Sequence, residues 1–405
     1  MKTQSFRFLW IGQAVANLGD VLLVVGLISI LYTLTESVLY LALLPFVNTF
    51  GRFISGMISP IIVNKYRLKS VLVWSQISKS AVLLGLSLFV SYKTNPNILI
   101  ILTLVLVIAF LDGWSMPATN AMLPRLVSNQ EIVKANSFVS IVNETTQLGG
   151  WALSGVLVAL SSGGHVIWIT FALFISASYM MHKVVDHTPF QRKKSGDHPI
   201  VAMKEGWQLI WRSELFRNLH VMIFFEATAN VVWIAAILYV FVTEVLNQTE
   251  AWWGYLNTLF FIGLILGGVF CSKFSLVLEK KMRKFLILSS FGVSILTFIF
   301  GLISVAWMAL VFAAFHGFLE QVKTITVQTY IQKEAAPDEL PKLYGAQSAL
   351  VSLTFGVSSL VFGALAESLG VPYAFFIAGI LLAGSTMYVF VRRGSFPEKY
   401  EIADR

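Results

Sequence analysis

The chain has 405 residues, 57% of them hydrophobic and only 12% charged, with a mean hydropathy of +0.76, and that leaves too few polar groups to cover a water-exposed surface. A soluble fold is excluded, and the chain is predicted to be an all-α, polytopic membrane protein. The formal charge of +8 is dispersed in short clusters without the aromatic-interleaved basic stripe of a nucleic-acid surface, and the single cysteine, Cys271, excludes disulfides within the chain and thiolate zinc sites.

On a template of about 20 apolar residues per crossing, twelve spans are predicted: 8–33, 38–63, 70–91, 97–117, 137–160, 164–184, 217–243, 252–276, 285–303, 305–323, 346–367 and 371–391. The N-terminal MKTQSFRFLW runs into the first span without a small-residue cleavage site, so it reads as a retained helix rather than a signal peptide. Residues 285–322 are nearly unbroken and too long for one crossing of a roughly 30 Å core, which places a turn near Ser304.

Alternate loops differ in basic residues. One set holds Lys2 and Arg7; Lys65, Arg67 and Lys69; Arg125 and Lys134; the segment from Lys183 to Arg212; Lys280, Lys281, Arg283 and Lys284; Lys333 and Lys342; and Arg392, Arg393 and Lys399. The other set holds Lys93 and the acids Glu36, Glu244, Glu250 and Glu367. The asymmetry predicts that both termini are cytoplasmic, in a bacterial inner (plasma) membrane. Residues 186–216, with QRKKSGDHP and an amphipathic helix around Met203 to Trp211, form a cytoplasmic linker between six-helix bundles at 1–185 and 217–405.

A faint internal repeat relates the halves. Shifted by 208 residues, Asp112 falls on Glu320, Pro124-Arg125 on Gln332-Lys333, Glu131-Ile132 on Glu339-Leu340 and Lys134 on Lys342. On the predicted boundaries both acids lie at the cytoplasmic rim, which makes Asp112 and Glu320 gate elements, with Glu320 held near Lys323.

The stretches FRFLWIGQAVANLGD (Phe6 to Asp20), PATNAMLPRLVSNQEIVKANS (Pro117 to Ser137) and KEG (Lys204 to Gly206) resemble the major facilitator superfamily, within it the drug exporters that include macrolide-efflux and siderophore-exporting proteins. The resemblance spans the chain. It implies two pseudo-symmetric six-helix bundles, a cavity lined mainly by spans 1, 4, 7 and 10, and export driven by an ion gradient. Two positions depart from the superfamily pattern. The loop between spans 2 and 3, Asn64-Lys65-Tyr66-Arg67-Leu68-Lys69, keeps the basic residues of the gate motif but has no acid, and the antiporter motif of span 5 reads Gly150-Trp151-Ala152-Leu153-Ser154-Gly155 without its proline. Gly149, Gly150 and Gly155 still permit close helix packing. The gate set is therefore Asn64, Lys65, Lys69, Arg125, Asp112 and Glu320.

Ionisable groups within a span cost about 2.5–3.5 kcal/mol on insertion scales, so they are read as cavity-facing, paired or functional. Asp20 and Arg52 lie at matching depths of about 17–20 Å on consecutive spans, which predicts an ion pair. Glu226 has no basic residue in its own span and an apolar setting (FFEATANVV) that favours its uncharged form, as proton coupling requires. Glu144 either pairs with Lys79 or serves as a second proton site. Proton-coupling candidates are thus Glu226, Asp20 and Glu144. His316 and Glu320 share a helix face, but the other histidines are scattered and no metal site is predicted.

The substrate cavity is assigned to Arg52, Trp114, Asn230, Trp233 and Tyr239, with Trp10, Trp151, Phe224 and Phe225 as further aromatic candidates for bulky amphipathic compounds. Each also reads as ordinary core or interface aromatic. No phosphate loop, HExxH or GxSxG motif is present, so neither direct ATP use nor intramembrane hydrolysis is indicated, and no cofactor is implied. The expected function is monomeric export of small amphipathic, drug-like molecules by proton antiport within a lipid bilayer. A lipid, lysolipid or siderophore transporter, or a non-transporting membrane sensor or scaffold, stays open as an alternative.

Overall fold

The structure, a computed structural model, describes residues 3–35, 38–92, 96–188, 199–233 and 235–398. Lys2, Glu36, Lys93, Lys399 and linker residues 189–198, used above for orientation and linker assignment, lie outside the described residues. Among the described residues the chain is helical, without strands. Helices are the open-chain answer to a solvent without hydrogen-bond partners, since each satisfies its own backbone.

The order is α1 (Gln4–Thr35), α2 (Val38–Lys65), α3 (Leu68–Tyr92), α4 (Ile98–Leu126), α5 (Ile132–Leu160), α6 (Gly163–Lys183), α7 (Pro199–Arg212), α8 (Glu214–Ala229), α9 (Ala235–Val240), α10 (Ala251–Lys273), α11 (Ser275–Lys280), α12 (Met282–Phe300), α13 (Ala306–Glu334), α14 (Leu340–Leu369) and α15 (Val371–Val391). Among the described residues nine helices are long and apolar enough to cross a membrane, and the bent pair at 214–233 and 237–245 makes a tenth when counted as one broken span. The remaining two of the twelve are α5 and α13. Each has 29 residues, but polar side chains such as Glu144 and Gln147, or His316, Glu320 and Lys323, dilute its hydropathy.

The seventh span is not the continuous helix expected at 217–243. It breaks into a tight turn at Asn230–Trp233 and resumes at Ala235. The turn near Ser304 is present between Phe300 and Ala306, and the predicted linker helix forms as part of α7.

The largest correction concerns α4 and α13. The predicted ends at 117 and 323 fall short of Leu126 and Glu334, because α4 continues through Pro117 and Pro124 and α13 through Lys323. Proline removes one backbone bond but need not end a packed membrane helix. Asp112 and Glu320 therefore sit at the middle of their helices, each the fifteenth residue of 29, and not at a rim. α4 and α13 start at 98 and 306 and end at 126 and 334, so the 208-residue spacing holds across both whole helices.

The chain forms two compact units that do not follow the sequence halves. Unit 1 takes 1–128, 145–208 and 335–353, and unit 2 takes 129–144, 209–334 and 354–405. In unit 1, α1 packs on α6, α2 on α4, and α3 on both α4 and α6, around a core that includes Leu27, Leu31, Leu83, Leu86 and Phe174. Its segment 335–353 lies against α2, where a Cβ on Gly56 would stand only 2.9 Å from the Gly345 carbonyl oxygen. Of the three small residues in span 5, Gly150 packs against Leu18 and Val21 of α1, whereas Gly149 and Gly155 face open space.

In unit 2, α10 packs on α13, α12 on α13 and α15, and α15 on α8, around Phe241, Phe300 and Phe375. Its segment 129–144 is joined by Asn136, whose side-chain amide donates to Gln332 Oε1 at 2.7 Å.

Candidate functional site

Each unit contains a buried lysine held between two carboxylates from different helices. In unit 1, Lys79 of α3 donates to Asp20 Oδ1 of α1 at 2.5 Å and to Asp112 Oδ1 of α4 at 2.8 Å, and its ammonium lies 4.3 Å from the centre of the Phe174 ring. Arg52 of α2 donates to the other oxygen, Asp112 Oδ2, at 2.7 Å. In unit 2, Lys323 of α13 contacts Glu226 Oε1 of α8 at 3.0 Å and Glu320 Oε2, one turn back on α13, at 2.7 Å. Both lysines are 1% exposed, whereas their carboxylates keep 14–28% exposure.

The two clusters differ in charge. Asp20 and Asp112 are balanced by Lys79 and Arg52, while Glu226 and Glu320 share Lys323 alone and form no further ion pair among the described residues. With every group ionised, unit 1 sums to zero and unit 2 to one negative charge. A like-charged pair that shares one counter-ion leaves one carboxylate charge unbalanced.

This geometry corrects two expected pairings. Asp20 binds Lys79 rather than Arg52, and Lys79 is therefore committed to Asp20 and Asp112 and not to Glu144. Equal depth was a correct observation, but a helix side chain also has a direction around its axis, and α3 presents Lys79 where α2 does not present Arg52. Glu144 makes no hydrogen bond or ion pair among the described residues. The contact between Glu320 and Lys323 forms as expected, though at mid-helix.

The aromatic candidates scatter. Trp233 packs within unit 2, its ring centre 4.1 Å from His316 and 4.7 Å from Phe300, while Asn230 Oδ1, Trp233 Nε1 and both His316 ring nitrogens are buried without a hydrogen-bond partner. Tyr239 donates from its hydroxyl to Glu250 at 2.6 Å. Trp114 donates from its indole N–H to the Ser55 carbonyl and lines a groove between α2, α3 and α4. Of the expected cavity residues, Arg52 and Trp114 belong to unit 1, and Asn230, Trp233 and Tyr239 to unit 2.

The family model described as a transmembrane secretion effector matches residues 1–401. The chain belongs to that family, within the major facilitator superfamily. The uncharacterized MFS-type transporter YfmI of Bacillus subtilis is 28% identical over 394 residues, covering 96% of each chain. Macrolide efflux protein A of Streptococcus pyogenes is 20% identical over 392 residues, covering 93% of each. Among solved structures, the human organic anion transporter MFSD10 matches with a TM-score of 0.81 at 10% identity, over 95% of this chain and 99% of that one. A bacterial homologue of the iron transporter ferroportin gives 0.79 at 14% identity, over 97% and 100%. The chain is therefore a multi-pass membrane transporter with the twelve-helix fold of that superfamily, and not an enzyme.

As a superfamily member it lacks the loop acid at Asn64, and unit 1 supplies one from elsewhere. Glu205 of α7 accepts from the Asn64 side-chain amide at 3.1 Å and pairs through its second oxygen with Lys342 of α14. Glu205 lies 141 residues beyond Asn64 in sequence, so the loop's own pattern gives no sign of it. It was nonetheless visible inside the KEG motif. Arg125 binds Asp186 at 3.1 Å and the Pro337 carbonyl at 2.7 Å, and its repeat partner Lys333 pairs with Glu279. Lys65 lies over the Tyr66 ring, and Lys69 forms no ion pair among the described residues.

Loss of the Glu205 carboxylate is expected to loosen the segment 335–353. In a variant with Cys271 replaced and a cysteine at Ser59, which is buried beneath Gly345, Glu205→Gln should raise labelling by a membrane-impermeant maleimide at least about fivefold, the scale of one charged hydrogen bond. Unchanged labelling rules out a role for Glu205 in holding that segment.

Proposed function

We propose that the chain exports small amphipathic, drug-like molecules across the plasma membrane in exchange for protons. Alternating access moves the substrate, and the Glu226–Lys323–Glu320 cluster carries the coupling. The observation that supports this most is the charge imbalance between the two lysine clusters. The unit 1 cluster is a balanced lattice that holds α1 to α4 together. The unit 2 cluster gains neutrality by taking up one proton, and two water-accessible carboxylates compete for the same lysine. Substrate binding that draws Lys323 towards one acid releases the other to exchange its proton. Among the sequence candidates Glu226 is kept, Glu144 stands as a second site because it has no partner, and Asp20 moves to a structural role.

The export direction and the drug-like substrate class rest on likeness to the macrolide efflux protein and on the secretion-effector family. Described loops carrying Lys65, Arg67, Lys69, Arg125, Lys134, Lys280, Lys281, Arg283 and Lys284 support a cytoplasmic assignment for the face with Glu205 and both termini.

The test uses energised inverted membrane vesicles from cells producing the full chain. Adding a macrolide should cause substrate accumulation and proton release from the lumen. Accumulation that persists after the pH gradient is collapsed with nigericin refutes proton antiport. Absence of accumulation across a panel of macrolides and lipophilic cations refutes the substrate class.

A further inference from the structure

The supply of the gate acid by Glu205 leaves the loop between α2 and α3 with an unusual charge. Lys65, Arg67 and Lys69 follow one another at alternate positions, and among the described residues none forms an ion pair. Glu205 binds Asn64 and Lys342. α3 starts at Leu68, so the positive end of its dipole lies in the same loop.

Directly beside this loop a groove of about 360 Å³ opens between α2, α3 and α4. Its walls are Ile62, Val71, Leu111 and the rings of Tyr66, Trp74 and Trp114, with the hydroxyls of Ser70, Ser75 and Ser78 along one side. Trp74, in the second turn of α3, is 65% exposed, and Tyr66, just ahead of that helix, is 49% exposed. Two independent features thus adjoin: an unneutralised tricationic loop and an apolar, aromatic slot that runs from it into the spanning region. Aromatic rings at a membrane interface, next to uncompensated lysine and arginine, suit a negatively charged amphiphile whose head stays at the surface.

We propose that this groove is a binding site for one anionic phospholipid, with its phosphate over Lys65, Arg67 and Lys69 and an acyl chain lying against Trp74 and Trp114. The Ser70 and Ser78 hydroxyls of the slot donate to the ester oxygens near its mouth, and Ser70 stands closest to the head group in sequence. The lipid acts here as a resident ligand of unit 1. It is separate from the transported substrate and independent of the proton-coupling cluster in unit 2.

Tryptophan quenching in proteoliposomes tests the site with the full chain. Phosphatidylglycerol brominated on its acyl chain should quench wild-type fluorescence more than equally brominated phosphatidylcholine, and Trp74→Phe should remove most of the difference, which separates this groove from the other tryptophans. The triple variant Lys65→Gln/Arg67→Gln/Lys69→Gln should lower the anionic preference at least about fivefold, as expected when surface cations near a lipid head group are lost. Elution as a monodisperse peak, with wild-type quenching by phosphatidylcholine, serves as the folding control for that variant. Equal quenching by the two lipids in the wild type overturns the proposal, as does a preference that survives the triple substitution. Relief of quenching by a macrolide, with no lipid preference, instead makes the groove a substrate site and also overturns it.

Discussion

Replacing Lys79 with methionine is expected to be among the most damaging single substitutions, destabilising the detergent-solubilised protein by about 3–5 kcal/mol, the usual consequence of removing one member of a buried charge cluster. The reason is the arithmetic of unit 1. Lys79 bonds both Asp20 and Asp112, and Arg52 reaches only Asp112. Without the lysine, Asp20 is left as an uncompensated carboxylate inside the helix bundle. The double variant Lys79→Met/Asp20→Asn should recover much of the loss, because Asp112 and Arg52 remain a neutral pair. A thermal-stability series measured by size-exclusion after heating gives the comparison. If the single variant is as stable as wild type, or the double is worse than the single, the lattice role assigned to this cluster is wrong.

Glu226→Gln is expected to behave in the opposite manner. It leaves Glu320 with Lys323 as a neutral pair, so stability should change little, but the site loses its reason to take up a proton. Proton-driven accumulation should fall by about 5- to 150-fold, the range of a typical coupling free energy between two ligands. Substrate counterflow, which needs no net proton movement, should persist. Glu320→Gln removes the same excess charge and should reproduce the phenotype. Loss of counterflow together with accumulation marks Glu226 as a substrate-binding or packing residue and refutes its coupling role.

Much of the fold was legible because a bilayer makes strong demands on composition. The twelve apolar stretches, the turn near Ser304 and the linker helix all follow from length and polarity. The repeat between Asp112 and Glu320 was legible as well, and its 208-residue spacing proves to hold for the whole of α4 and α13. Their depth was misread because a template of about 20 apolar residues per crossing ends at 117 and 323, short of Leu126 and Glu334. In water a proline inside a helix is a strong breaker, whereas neighbouring helices in a packed bundle hold the chain on its course through Pro117 and Pro124.

Partnership was less legible than depth. Asp20 and Arg52 lie on consecutive helices at one level, yet Asp20 bonds Lys79 from α3. Which residues meet depends on the rotation of each helix about its axis, and a nearly all-apolar span gives no polar stripe from which to read it. Lys323 shows the same limit from the other side. It was seen as a neighbour of Glu320, but its second contact, to Glu226 of α8, comes from a helix nearly a hundred residues earlier in the sequence.

The unequal charge of the two lysine clusters has an electrical consequence. On the coupling proposed above, a cluster that sums to zero offers the membrane potential no net charge to move, whereas one that carries a net negative charge is pulled by it. In a cell that is negative inside, voltage then acts on the deprotonated transporter alone and drives its unit 2 cluster towards the outer face. The bias reaches up to about 2.3 kcal/mol per 100 mV if the charge traverses the full field. Proton uptake at that face cancels the charge, and the return inward proceeds without electrical opposition.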